Sequence, residues 1–270
     1  MPAVQPARLK QQAALLGQHL DDPPAFVRSL HHLLDFYADR THRPGLSGEP
    51  ASLVESYNAP APVVRLILQT LAGLVAENPL QAQTLCDVLW RQPYLEFRQL
   101  AVGILDKLPV EPPEPVLNRA QVWAEKAEDQ RMIDLVLDNG LAHLRQENPA
   151  ALLGFLEFWL NDNAVMRQKL GLRALKFLVA EPAYQNLPVF FRLLQSLMRE
   201  TPPALRLEVV DVCRALAQRS PQETAYFLSQ GLKSTHSSDT AWLIRQLYDE
   251  FPPEIESQLR TTVRAMTQRS

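Results

Sequence analysis

Two carboxylates, Asp134 and Asp138, stand four residues apart in the segment MIDLVLDNG, and on a helix they share a face. Such a pair suits acid–base chemistry or the holding of a cation, and equally a solvated surface. A second group is basic. Lys169, Arg173 and Lys176 fall within about 60° of one another on a helical wheel, with no acid on that edge. The edge fits a phosphate backbone or a solvated outer face. The six histidines, His19, His31, His32, His42, His143 and His236, are scattered. No H-E-x-x-H, C-x-x-C, G-x-G-x-x-G, P-loop or G-x-S-x-G occurs, so the sequence implies no metal and no cofactor. Known nucleotide and acyl-transfer chemistries find no support.

The elements that must carry these groups follow a ruler of arginines: Arg65, Arg98, Arg131, Arg167, Arg206 and Arg245, at steps of 33, 33, 36, 39 and 39. Eight residues before the first five stand Tyr57, Trp90, Trp123, Trp159 and Met198; Ser237 breaks the pattern before the sixth. A period of this size in a chain patterned for helix marks an α-solenoid. Helix starts repeat one device, an N-cap followed by proline, as in DDPPAFVRSL, ENPAALLGFL and TPPALRLEVV. Apolar spacing between them is three and four, not two. The expectation is an N-terminal helical pair over 1–40, a Gly/Pro-rich loop over 41–52 and repeats over 53–270, all one domain. Helices are expected at 62–77, 79–91, 94–108, 115–126, 128–146, 149–160, 164–179, 187–200, 203–219, 221–233, 239–250 and 253–267. Each ruler arginine then sits near the start of the second helix of a pair. The ruler and the phased tryptophans read first as packing between repeats. A phosphate-bonding arginine or a base-stacking tryptophan is the sharper alternative.

At 270 residues and 46% hydrophobic content the chain can bury a substantial core. The net charge of −3 gives no bulk argument for nucleic acid, so any basic surface must be local. Cys86 and Cys213 lie in apolar helical runs and read as buried thiols. The N-terminal stretch has no apolar signal core and no segment approaches a membrane span, so a cytoplasmic protein is expected.

The stretch SYNAPAPVVRLILQTLAGL, and then Leu89, Trp90, Pro93, Glu96, Arg98 and Ala101 in LCDVLWRQPYLEFRQLAVGILDKL, resemble the AlkD-like DNA alkylation repair family. FWLNDNAVMRQKLGLRAL is similar to a later repeat of that family. The resemblance covers roughly 52–230. It implies an all-α, right-handed solenoid of about six to seven HEAT-like pairs, C-shaped, with duplex DNA as the ligand of its concave face. It also implies excision of cationic alkylated bases by an Asp and an Arg, which fall on Asp134 and Arg167. Two cleft tryptophans of the family are replaced by Gln130 and Asp211. Two functions therefore stand side by side: a DNA-binding protein with little or no excision, and a protein–protein scaffold on the same repeats.

Overall fold

Proline opens helix after helix, because its fixed φ suits the first turn and its missing N–H is not needed there. The computed structural model describes residues 5–39, 54–127, 129–235 and 237–267. All regular elements among them are helical; Glu55 and Tyr94 form an isolated bridge. The expected loop 41–52, with His42, and His236 lie outside the described residues.

The chain divides into two compact units, Met1–Glu147 and Asn148–Ser270. The first holds α1 (Pro6–Gly17), α2 (Pro23–Tyr37), α3 (Ala61–Glu77), α4 (Pro79–Trp90), α5 (Leu95–Asp106) and α6 (Glu114–Glu125). It ends with α7 (Gln130–Asp134), a π turn (Leu135–Asn139) and α8 (Ala142–Glu147). The second holds α9 (Pro149–Leu160), α10 (Val165–Ala180), α11 (Leu187–Arg199), α12 (Arg206–Arg219), α13 (Pro221–Thr235), α14 (Ser238–Gln246) and α15 (Pro253–Thr267). In the first unit α5 packs between α4, α3 and the π turn; in the second α10 packs between α9 and α12. Phe26, Ile67, Leu85, Phe97 and Leu100 centre one core, and Leu156, Trp159, Leu175, Phe190 and Leu228 the other.

Caps fix the register of the helices. Asp22 accepts the Ala25 N–H at 3.1 Å, Asp129 the Met132 N–H at 2.9 Å and Asn148 the Ala151 N–H at 3.2 Å. Ser237, which breaks the aromatic pattern, is the N-cap of α14 and accepts the Asp239 and Thr240 N–H groups. A large side chain at that position could not do this.

One expected helix, 128–146, is broken. The Gly140 N–H reaches the carbonyls of Leu135 at 3.3 Å and Val136 at 3.0 Å, which closes the wide turn. Glycine permits it, since a Cβ at Gly140 would meet the Val136 oxygen at 2.6 Å and Val102 of α5 at 3.3 Å. The ruler also needs correcting at its end. Arg65, Arg98, Arg131, Arg167 and Arg206 sit early in α3, α5, α7, α10 and α12, but Arg245 lies in the last turn of α14.

Candidate functional site

Glu96 organises the approach to the repeats in the first unit. It is 2% exposed, and its carboxylate accepts the Ser56 hydroxyl at 2.8 Å and the Tyr57 and Ala59 N–H groups at 3.1 Å each. The segment before α3 is thereby fastened to the first turn of α5. Sequence reasoning noted Glu96 in a motif but not this task; three donors from one turn give no periodic signal. Glu96→Ala should leave those donors without their acceptor and cost about 3 kcal/mol. Chemical denaturation checks this, together with faster proteolysis near Tyr57.

His31 closes the same corner, and the scatter of histidines along the chain hid it. Its Nδ1 lies 2.5 Å from the Tyr57 hydroxyl, among the rings of Tyr94 and Phe97. Burial, and then the adjacent His32, hold the imidazole below its ordinary value. Burial above all pushes the Tyr57 hydroxyl up to about 12. Both shifts favour the uncharged forms of the two side chains in this corner.

The ruler arginines do not share one environment. Arg98 is buried, donates its Nε to the Gln92 carbonyl at 3.2 Å and lies over the Trp90 ring at 5.4 Å. Trp90 stacks flat on Trp123, 4.7 Å between centroids and 7° between planes. Arg206 pairs with Asp239 of α14 at 3.3 Å and covers Trp242 at 5.0 Å. Arg65, Arg131 and Arg245 are exposed. Trp123 and Trp159 are 4% and 0% exposed, so neither is a platform on which a base could stack. Trp90, by contrast, is half-buried.

Asp134 ends α7, half-buried, with its Oδ1 shut off from solvent. Asp138, within the π turn, is taken up by Arg145 at 3.2 Å. Asp134 thus stands at the end of α7 and Asp138 within the π turn, on either side of the change in helical type. Among the described residues no group of three His, Cys, Asp or Glu side chains comes together that could hold a metal ion. Cys86 and Cys213 are buried, and burial pushes both thiols up to about 12.

In the second unit Arg167, from the first turn of α10, reaches back to Asp162, at 2.8 Å, and its side chain stays 38% exposed. The Ala164 N–H first, and then Arg167, hold the Asp162 carboxyl below the usual carboxylate range. Lys169, Arg173 and Lys176 lie along the partly exposed stripe of α10, while Leu170, Leu172, Ala174, Leu175 and Leu178 are buried. Met166, Phe177 and Ala180 complete that stripe, so no acid stands on it. The Lys176 Nζ rests over the Phe177 ring at 4.7 Å. Asp211, on the neighbouring α12, pairs with Arg214 at 2.6 Å, and Arg214 also binds Glu250 at 2.7 Å. Gln130 is the first residue of α7, in the other unit.

The sequence model of a family described as DNA alkylation repair enzyme matches residues 51–259. No curated protein matches the chain. Among solved structures it is similar to an engineered protein of the Northeast Structural Genomics Consortium, with 16% identity and a TM-score of 0.32. That match covers 96% of this chain and 69% of the other.

Proposed function

Because the chain belongs to the family of DNA alkylation repair enzymes, we propose that it binds duplex DNA through the partly exposed basic stripe of α10 and has little or no excision activity. The run of Lys169, Arg173 and Lys176 carries the reading, since three cations on one partly exposed stripe of α10, with no acid among them, can meet the phosphates of a strand. The helical pairs are, in this reading, six or seven repeats of the HEAT type in a cytoplasmic protein that works without metal or cofactor.

Asp134 and Arg167 are the residues the family resemblance puts forward for chemistry. When the glycosidic bond to a cationic base breaks, the bonding pair goes to the base, which leaves neutral. Positive charge then develops on the deoxyribose, where a carboxylate such as Asp134 stabilises it and takes a proton from the attacking water. An arginine such as Arg167 holds a flanking phosphate. The weakness lies in the grip on the base. Gln130 and the Asp211–Arg214 ion pair stand where aromatic rings are expected. Each lost ring forgoes up to about 2 kcal/mol of attraction for a cationic base.

The test is release of free base from duplex carrying a cationic alkylated purine. Wild type should release it slowly at most, and Asp134→Asn should abolish that release while binding the duplex as before. Equal release by both proteins would remove Asp134 from the chemistry.

A scaffold reading draws on a different feature. An apolar groove of about 490 Å3 lies between α11 and α13, lined by Phe191, Phe227 and the 68% exposed Tyr226. That surface suits a protein partner and has no use in holding DNA. It becomes the better account of the chain if duplex binding is absent.

A further inference from the structure

The groove of about 490 Å3 between α11 and α13 has an aromatic floor. Phe191 of α11 and Phe227 of α13 meet there at 4.7 Å between centroids and 43° between planes, and Tyr226 stands beside them, 68% exposed. The opposite face of α13 buries Ala225, Leu228 and Leu232. The helix is therefore anchored from within and carries a second, outward stripe of rings that its own packing does not use. Tyrosine and phenylalanine placed so are the common anchors of protein interfaces.

The polar groups beside that floor are Gln222, Glu223 and Gln230, all exposed and all on the outward stripe of α13. Among the described residues no hydrogen bond or ion pair holds their side chains or the Tyr226 hydroxyl. Glu223 is the charged member of the lining, which includes no Lys or Arg. Arg192, next to Phe191 in sequence, pairs instead with Glu157 of α9 at 3.3 Å. Three chemistries thus meet in one groove. Rings take apolar side chains and the flat face of a cation. Free amides answer the N–H and C=O groups of a main chain. An acid with no base beside it attracts a cation and repels phosphate, which disfavours both duplex and an anionic lipid surface. The stripe from Gln222 to Gln230 rises about 12 Å, the length of about four extended residues.

We propose that this groove docks a short segment of a protein partner that carries apolar side chains and an arginine or lysine. The apolar side chains lie on Phe191, Phe227 and Tyr226, the cation meets Glu223, and Gln222 and Gln230 hold the main chain. This builds on the scaffold reading and gives its partner a chemistry. It holds whether or not α10 binds duplex, because the groove shares no residue with the stripe of Lys169, Arg173 and Lys176.

The experiment pans the full chain against phage-displayed random peptides. The selected peptides, made as labelled synthetic probes, are then titrated with wild type, Tyr226→Ser and Glu223→Lys. Both positions are exposed, so thermal midpoints should stay close to the wild-type value. The selected peptides should pair leucine or an aromatic residue with arginine or lysine, and Tyr226→Ser should weaken them about 10-fold or more. Glu223→Lys should weaken them about 10-fold and should regain affinity for the same peptide with glutamate in place of its cation. Neither change should move a duplex titration. If no peptide is enriched, if acidic peptides are selected, or if both variants bind the peptides as wild type does, the groove assignment falls and the DNA reading is untouched. It falls equally if Tyr226→Ser breaks a wild-type dimer in sedimentation, since a second copy then fills the groove, or if Tyr226→Ser weakens duplex binding, since DNA then does.

Discussion

Trp159→Ala should destabilise the protein by about 3–5 kcal/mol, the range for truncating a buried aromatic side chain. Trp159 ends α9 with no exposed surface and packs on Phe155 at 4.8 Å between ring centroids. The gap it leaves cannot close easily. Opposite it lies Gly171 of α10, where a Cβ would stand only 3.2 Å from the Trp159 Cβ, so the two backbones are already close together. Trp123→Ala should cost a similar amount in the first unit, losing its burial and its stack on Trp90. Chemical denaturation measures both. An unmoved midpoint for either variant would mean that the indole is not core, and would revive the stacking alternative for that position.

The largest functional effect is expected from replacing Lys169, Arg173 and Lys176 together by glutamine. Their side chains are partly exposed, so the change leaves the apolar face of α10 intact. With the aromatic positions lost to Gln130 and to the Asp211–Arg214 pair, charge must carry most of the affinity for duplex. The triple variant should bind weakly at low salt, and its slope of log K against log salt should be flatter by up to about three units. Between roughly 50 and 200 mM salt that difference amounts to about 40-fold in affinity. A variant with the wild-type slope would place the phosphates elsewhere.

Much of the fold was legible because each helix carries its own signals. Asp22, Asn148 and the prolines mark starts that the structure keeps. What local pattern could not show was the break at Gly140. The apolar spacing of 128–146 suits an unbroken helix, and it carries no sign of the close approach of α5 to Gly140, where a Cβ would lie 3.3 Å from Val102. The ruler told where the arginines would fall and not what they would touch. Arg98 met a tryptophan, Arg167 a carboxylate in the preceding turn and Arg206 one from α14, while Arg65 faced an open groove. Those partners are set by packing between helices, which a single helical wheel omits. The basic stripe of α10 was legible because its solvent face is a property of one helix.

Binding of the wild-type chain to intact duplex, titrated at roughly 50 and 200 mM salt, tests the central claim most directly. Three phosphate contacts on α10 predict an affinity that falls by about 40-fold between the two conditions. Absence of binding at the lower salt, or an affinity indifferent to salt, would contradict the claim that this protein holds DNA by its cations.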